Sequence, residues 1–182
     1  MRGPLTRLLV LTALVTAFDQ WTKRWAAATL AGHPPVRVID DLLRFTYTRN
    51  SGVAFGIGAG LPFPYWVFSV TAIVVISWMF ARHRVHGVLR QTSLAFIMGG
   101  AIGNLIDRLR FGEVTDFILV SWRHWQFPVF NVADSAVTVG VALFALGWGP
   151  SHRASEAPPA ATQTASPGGD EPRAPDHDPG LA

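Results

Sequence analysis

Two aspartates stand where a carboxylate has no easy partner. Asp116 lies in VTDFILV among apolar and β-branched residues, and Asp134 lies in FNVADSAVTVG, inside an apolar segment that runs on to Trp148. Neither has a lysine or arginine within five positions along the chain, so no local ion pair is available to either. Ionisable groups in apolar segments are costly to desolvate, and they point to function. Two carboxylates that converge in a dry site cannot both ionise: one keeps a proton and the other stays charged. Such a pair sets a general base beside a general acid, which is enough to activate water against a peptide carbonyl. From residue type and spacing alone, a catalytic pair stands level with a proton relay or ion site. The 117–133 stretch between them is long enough to fold back and bring them together.

Three more charged residues need a role. Asp19, in FDQWTK, has Lys23 four residues on, the spacing of an ion pair along one helix face, so a structural role is expected. Asp107 is followed by Arg108 in NLIDRLRFG. Adjacent helical residues do not face each other, so each is expected to find another partner, with Asp107 shaping the site. The Arg108 guanidinium could hold a substrate carbonyl or carboxylate by its fork of donors, or snorkel to the rim of an apolar span, and both readings stay open. Other chemistries lack their parts. The chain has no cysteine, which removes disulfides, thiolate metal sites and a cysteine nucleophile. There is no HExxH for zinc and no GxGD, and the six histidines include only His33 and His124 in the expected outer loops, outside the spans. Ser135 next to Asp134 points another way on a helix. No metal and no organic cofactor are expected.

The elements that must position these groups follow from composition. Hydrophobic residues make up 49% of the 182-residue chain and charged residues 15%, below the roughly 25% of soluble domains. The apolar residues cluster into four segments, about 5–28, 63–81, 92–106 and 129–148. Each approaches the roughly 20 residues that a helix needs to cross a bilayer. In the third, Gly99 and Gly103 are spaced to let helices approach closely. The first also reads as a cleavable signal peptide, with Arg2 and Arg7, an apolar run and small residues near Ala17. RHRVHGVLR carries three arginines in its nine residues and is expected on the cytoplasmic side, with both termini. Outer loops then cover about 29–62 and 107–128. In the first, Leu43, Phe45 and Tyr47 alternate with Arg44, Thr46 and Thr48, the period of a half-buried strand. VRVI is its expected hairpin partner, and EVTDFILV and QFPVF also read as extended, so a small sheet is expected at the outer face. The loop from Gly52 to Gly60 is expected to move more than the helices. Residues 1–150 form one domain, while 151–182, rich in Pro and Ala, cannot bury a core and should be disordered. Residues 1–150 carry an excess of positive charge with no basic run interleaved with aromatics, which reads as membrane orientation and not nucleic-acid binding.

Four blocks together resemble one family. DQWTK, TRNSGVAFG, GGAIGNLIDRLRFGEVTDFI and FNVADSAVTVG, in that order between the apolar segments, resemble lipoprotein signal peptidase, or signal peptidase II, of bacteria. The resemblance covers about 18–140. It implies a mainly α membrane protein, four transmembrane helices with a small extracytoplasmic β-sheet cradle, acting as an aspartic endopeptidase. Its substrate would be a diacylglyceryl-modified prolipoprotein, cut just before the lipidated cysteine. Carried over by motif, Asp116 and Asp134 would be catalytic. Asn50, Asn104, Arg108 and Asn131 would line the site, with Asp19 and Asp107 in support. The resemblance implies a retained first span, an inner-membrane location with the site near the outer face, and contact with membrane lipid; the chain is expected to be a monomer. A proton-coupled transporter and a non-catalytic scaffold are the rivals. The segment GIGAGLPFP is short, and the tail has no counterpart in the family pattern.

Overall fold

The computed structural model describes residues 2–52 and 63–147. The 151–182 tail and, apart from Gly52, the glycine-rich loop expected to move both lie outside the described residues. Four helices and a small sheet follow one another: α1 (Arg2–Thr29), β1 (Val36–Ile39), β2 (Leu43–Asn50), α2 (Trp66–Ala81), α3 (Val88–Phe111), β3 (Val114–Trp122), β4 (Trp125–Gln126) and α4 (Val132–Leu146). The helix of each apolar segment is present, with shifted ends. The third is the most changed: α3 runs past both ends of 92–106, so Asp107 and Arg108 belong to the helix and not to the loop after it. Its C-terminus carries Arg108 and Arg110 in the last turn, where cations suit the helix dipole. It stops at Gly112, which takes the left-handed conformation (φ 75°) and donates to the Arg108 carbonyl.

Among the described residues, no helix is long and apolar enough to cross a membrane. α2 has 16 residues and α4 has 15, which at 1.5 Å per residue gives lengths of about 22–24 Å, short of about 30 Å of hydrocarbon. α1 and α3 are longer, but α1 is interrupted by Asp19 and Lys23, and α3 by Asn104, Asp107 and Arg108.

The sheet is antiparallel throughout, in the order β1-β2-β3-β4. The expected pairing of VRVI with the following strand is present, as is the strand over VTDFILV. QFPVF is only partly extended: Gln126 ends β4, and Phe130 makes a lone bridge to Ile118. The alternation in β2 does not produce one buried and one exposed face, because every position is partly buried. Arg49 shows why, since its guanidinium is covered by the Phe111 ring, 4.4 Å from its centroid. One corner of the sheet rests on the end of α1 through Trp25, Phe45 and Phe117, whose rings meet edge to face at 5.5 to 6.2 Å. At the other end of the bundle, Leu8, Ile76, Val85, Leu94, Ala95 and Met98 form a separate apolar core.

The interior around the site is polar. The largest fully buried side chains are Asn131, Asp19, Asp107, Asp116 and Ser93, whereas Leu9, Leu14, Trp21, Val74 and Val141 are exposed on the outer faces of the helices. α3 lies at the centre, touching α1, α2 and α4. Its glycines let the backbones close. A Cβ on Gly103 would strike the Asp19 carboxylate, and one on Gly100 would strike the Ala133 carbonyl oxygen of α4. A carboxylate can rotate, but a helix carbonyl cannot. Gly100→Ala should therefore push α3 from α4 and destabilise the protein by about 1–3 kcal/mol despite alanine's better helix propensity. Thermal unfolding in detergent checks this: a midpoint at or above wild type would show that the contact has room to give.

Candidate active site

The two aspartates come from different elements. Asp116 is the third residue of β3 and is 1% exposed. Asp134 sits in the first turn of α4, earlier than the sequence pattern implied, because the helix begins only after Asn131. Asn131, extended (φ −132°, ψ −175°), caps α4: its Oδ1 accepts from the Asp134 N–H at 2.9 Å, and its own N–H donates back to Asp134 Oδ2 at 3.3 Å. This reciprocal arrangement satisfies N–H groups that a helix start leaves without partners.

The same asparagine joins the pair. Asn131 Nδ2 donates to Asp116 Oδ1 at 2.6 Å. Asn50 Nδ2 donates to Asp116 Oδ2 at 3.0 Å. The β2–β3 register, with Thr48 opposite Asp116 and Asn50 opposite Val114, puts Asn50 diagonal to Asp116 on one face. Asn104, on α3, donates from Nδ2 to Asp134 Oδ1 at 2.8 Å. All three asparagines read from the sequence therefore touch the aspartate pair. Burial pushes the Asp116 carboxyl up from 3.8 to about 6, and the Asp134 charge adds to this. The amide donors of Asn50 and Asn131, and the Lys23 ammonium, pull the other way.

Behind the pair lies a second layer. Lys23 pairs with Asp19 at 2.9 Å, as the i to i+4 spacing predicts, and also with Asp107 at 3.3 Å. Asp107 and Arg108 do have separate partners: Asp107 Oδ2 accepts from Thr115 N at 2.9 Å, and Arg108 Nη2 donates to the Gly52 carbonyl at 3.0 Å. Arg108 is thus held inside the protein and does not simply snorkel. Three contributors escape sequence reading as site residues: Lys23 beyond its local pair, Gln20, which donates to Asp107 Oδ1 at 2.9 Å, and the Thr115 N–H. The DQWTK block contains the first two and is their only signal in the sequence.

Asp134 borders open space on two sides of α4. A cavity of about 490 Å³ is lined by Phe127, Phe130, Asp134, Val137 and Val139, among others. Another of about 350 Å³ runs between α2, α3 and α4, with Phe68, Ile97, Asn104, Arg108 and Asp134 on its walls. Both are mostly apolar, each with Asp134 as an acidic point, the form of a site for a largely apolar ligand. No group of three or more His, Cys, Asp or Glu suited to a metal ion occurs among the described residues.

Comparison with known proteins gives a consistent result. The family model described as Signal peptidase (SPase) II matches residues 11–148. A lipoprotein signal peptidase of Syntrophotalea carbinolica is 42% identical over 142 residues, covering 76% of this chain and 88% of that one. That of Geobacter sulfurreducens is 45% identical over 141 residues, covering 76% and 87%, and that of Pseudomonas aeruginosa is 40% identical over 155 residues, covering 82% and 91%. A bacterial membrane enzyme structure obtained by the in meso method at 1.9 Å superposes with a TM-score of 0.69 at 31% identity, covering 79% of this chain and 93% of the other.

The electrostatics of the pair can be read directly by following the Asp116 carboxyl carbon by NMR. It should titrate at about 6. In Asp134→Asn the neighbouring negative charge is gone, so the midpoint should fall. Between 3.8 and about 6 the folded protein holds a proton that the unfolded chain has released, so this group's contribution to stability declines as pH rises through that window. A midpoint unmoved by Asp134→Asn would show that the two carboxyls do not sense each other.

Proposed function

The chain belongs to the signal peptidase II family, membrane aspartic endopeptidases that remove signal peptides from prolipoproteins, and on that premise we propose which residues cut the bond. The carrying observation is that Asp116 and Asp134, remote in sequence, are tied to one asparagine, Asn131. In this scheme Asp134 acts as the base and Asp116, in its protonated form, as the acid. Asp134 takes a proton from a water molecule as that water attacks the scissile carbonyl carbon. Asp116 gives its proton to the carbonyl oxygen, so no free oxyanion forms. On collapse, Asp116 recovers a proton from the tetrahedral intermediate, Asp134 delivers its proton to the leaving amine, and the pair is reset. Asn50 and Asn104 hold the two carboxylates at their outer oxygens and keep both in place through the cycle. Arg108 fixes the Gly52 carbonyl beyond the end of β2, and it lines the cavity shared with Asp134. Family membership disfavours the transporter and scaffold readings.

The substrate is a diacylglyceryl-modified prolipoprotein, cut before its lipidated cysteine. The apolar walls beside Asp134 suit a bond presented together with acyl chains and an apolar peptide segment. In this reading the helices lie in the bacterial inner membrane, with both termini cytoplasmic, the sheet outside and the protein acting as a monomer. The apolar outer faces of the helices and the polar interior support insertion, and Arg82, Arg84 and Arg90 between and at the start of the helices support the orientation.

Two experiments test this reading. Purified protein is incubated with a diacylglyceryl-modified prolipoprotein and the product is followed by mass. Asp116→Asn and Asp134→Asn should each lose about 10⁴-fold or more in rate while unfolding near the wild-type temperature, a loss typical when a paired catalytic group is removed. Cleavage surviving in either variant would break the pair. For orientation, the absence of native cysteine allows single reporters. His86→Cys in spheroplasts should resist a membrane-impermeant maleimide and Trp125→Cys should react; the reverse pattern would invert the topology.

A further inference from the structure

Lys23 touches neither catalytic aspartate in the hydrogen-bond network, yet each of its three partners leads to one of them. The ammonium pairs with Asp19 Oδ2 at 2.9 Å, with Asp107 Oδ2 at 3.3 Å and with Asn104 Oδ1 at 2.8 Å. Asp19 uses its other oxygen to accept from the Ala133 N–H at 2.9 Å. Asp107 accepts from the Thr115 N–H at 2.9 Å. Ala133 and Thr115 are the residues immediately before Asp134 and Asp116. The third partner acts on a side chain. With Asn104 Oδ1 turned to the ammonium, its Nδ2 must face Asp134 Oδ1, which it does at 2.8 Å. The reversed amide would set Nδ2 against the ammonium and against Asn131 Nδ2, which lies 3.2 Å from Asn104 Oδ1, and would set an oxygen against the Asp134 carboxylate.

We infer that Lys23 is a positioning residue of the aspartate pair: from behind the site it fixes the backbone immediately before both aspartates and selects the amide orientation of Asn104 that presents a donor to Asp134. This rests on the assignment of Asp116 and Asp134 as the reacting pair. Lys23 also contributes charge, since Asp116 is faced by Asp134, Lys23 and Arg108.

A purely structural lysine would serve only to offset Asp19 and Asp107, and the two roles can be separated. Lys23→Met leaves the two carboxylates without their cation. Asp19→Asn/Lys23→Met restores the cluster's net charge, and the amide oxygen that then replaces Asp19 Oδ1 can still accept from the Ala133 N–H, but the Asn104 amide loses the ammonium and is directed only by Asn131 Nδ2 and Asp134. With the lipidated substrate in detergent, Lys23→Met should lower kcat about 100-fold, the scale of a small misplacement of reacting groups, with KM within about threefold. The double variant should regain much of the thermal midpoint without regaining kcat, and in Lys23→Met the Asp116 carboxyl should titrate higher than in wild type. If Lys23→Met does not fold, the double variant carries the test alone. A double variant that recovers kcat along with its midpoint, or a Lys23→Met enzyme at wild-type kcat, overturns the inference. Asp116→Asn and Asp134→Asn run alongside as controls: cleavage surviving there defeats the assignment of the pair, whereas dead controls with fully active Lys23 variants defeat only the role of Lys23.

Discussion

An ammonium group taken out of water loses several kcal/mol of hydration that only close, well-directed partners can replace. Lys23, 4% exposed, finds them in Asp19 and Asp107, which are as deeply buried. The desolvation of each charge is offset by the others. Each carboxylate also needs a further donor for its remaining lone pairs, and each finds one in a backbone N–H at the start of an element: α4 for Asp19 and β3 for Asp107. The demand for charge balance on α1 and α3 thereby becomes a constraint on where α4 and β3 begin. Asp134 and Asp116 are the next residues along these two segments.

The same accounting of charge explains the state of the pair. Around the site, two cations, Lys23 and Arg108, face four carboxylates, Asp19, Asp107, Asp116 and Asp134. Such an excess of negative charge favours uptake of a proton, and burial together with the Asp134 charge raises the Asp116 carboxyl to about 6. Close packing encloses the side of the site away from the cavities beside Asp134. Gly100 and Gly103 bring α3 against α4 and against Asp19 with no side chain between them. A fold with its polar groups inside and leucines, valines and tryptophans outside is ordinary for a protein whose solvent is lipid.

What the sequence made legible depended on whether an interaction was local. Asp19 with Lys23 was readable because a helix puts i and i+4 on one face. β2 and β3 were readable from β-branched and aromatic residues, and Asp116 and Asp134 from their lack of any nearby base. The second partner of Lys23 was not readable, because Asp107 comes from another helix and no periodicity links them. The C-terminal extension of α3 was hidden by its charges: Asp107 and Arg108, just past the apolar stretch, look like a loop composition, yet they lie on the helix. Asp134 likewise looked deeper in its span than it is, since the apolar FPVF before Asn131 belongs to the sheet edge and the approach to the cap. The even, partial burial of β2 came from Arg49 under Phe111, a contact that alternation cannot express.

Asn131 shows how narrow the remaining choice of residue is. Its position must satisfy an N–H donor on one side, at the start of α4, and a carboxylate acceptor on the other, at Asp116. An aspartate could cap α4 equally well, but it would set a third negative charge against Asp116. A serine or threonine could also cap it, but the single hydroxyl is too short to span to β3 while holding the cap. Glutamine has the right donor and acceptor with one methylene too many for a reciprocal cap. The amide must also sit among Asn104 Oδ1 and the Thr115 carbonyl, both acceptors for its Nδ2 at 3.2 Å. A short, neutral side chain with a donor at one end and an acceptor at the other suits this setting, its two amide hydrogens shared among three acceptors. The pair of aspartates is therefore held together by a group that does not itself titrate.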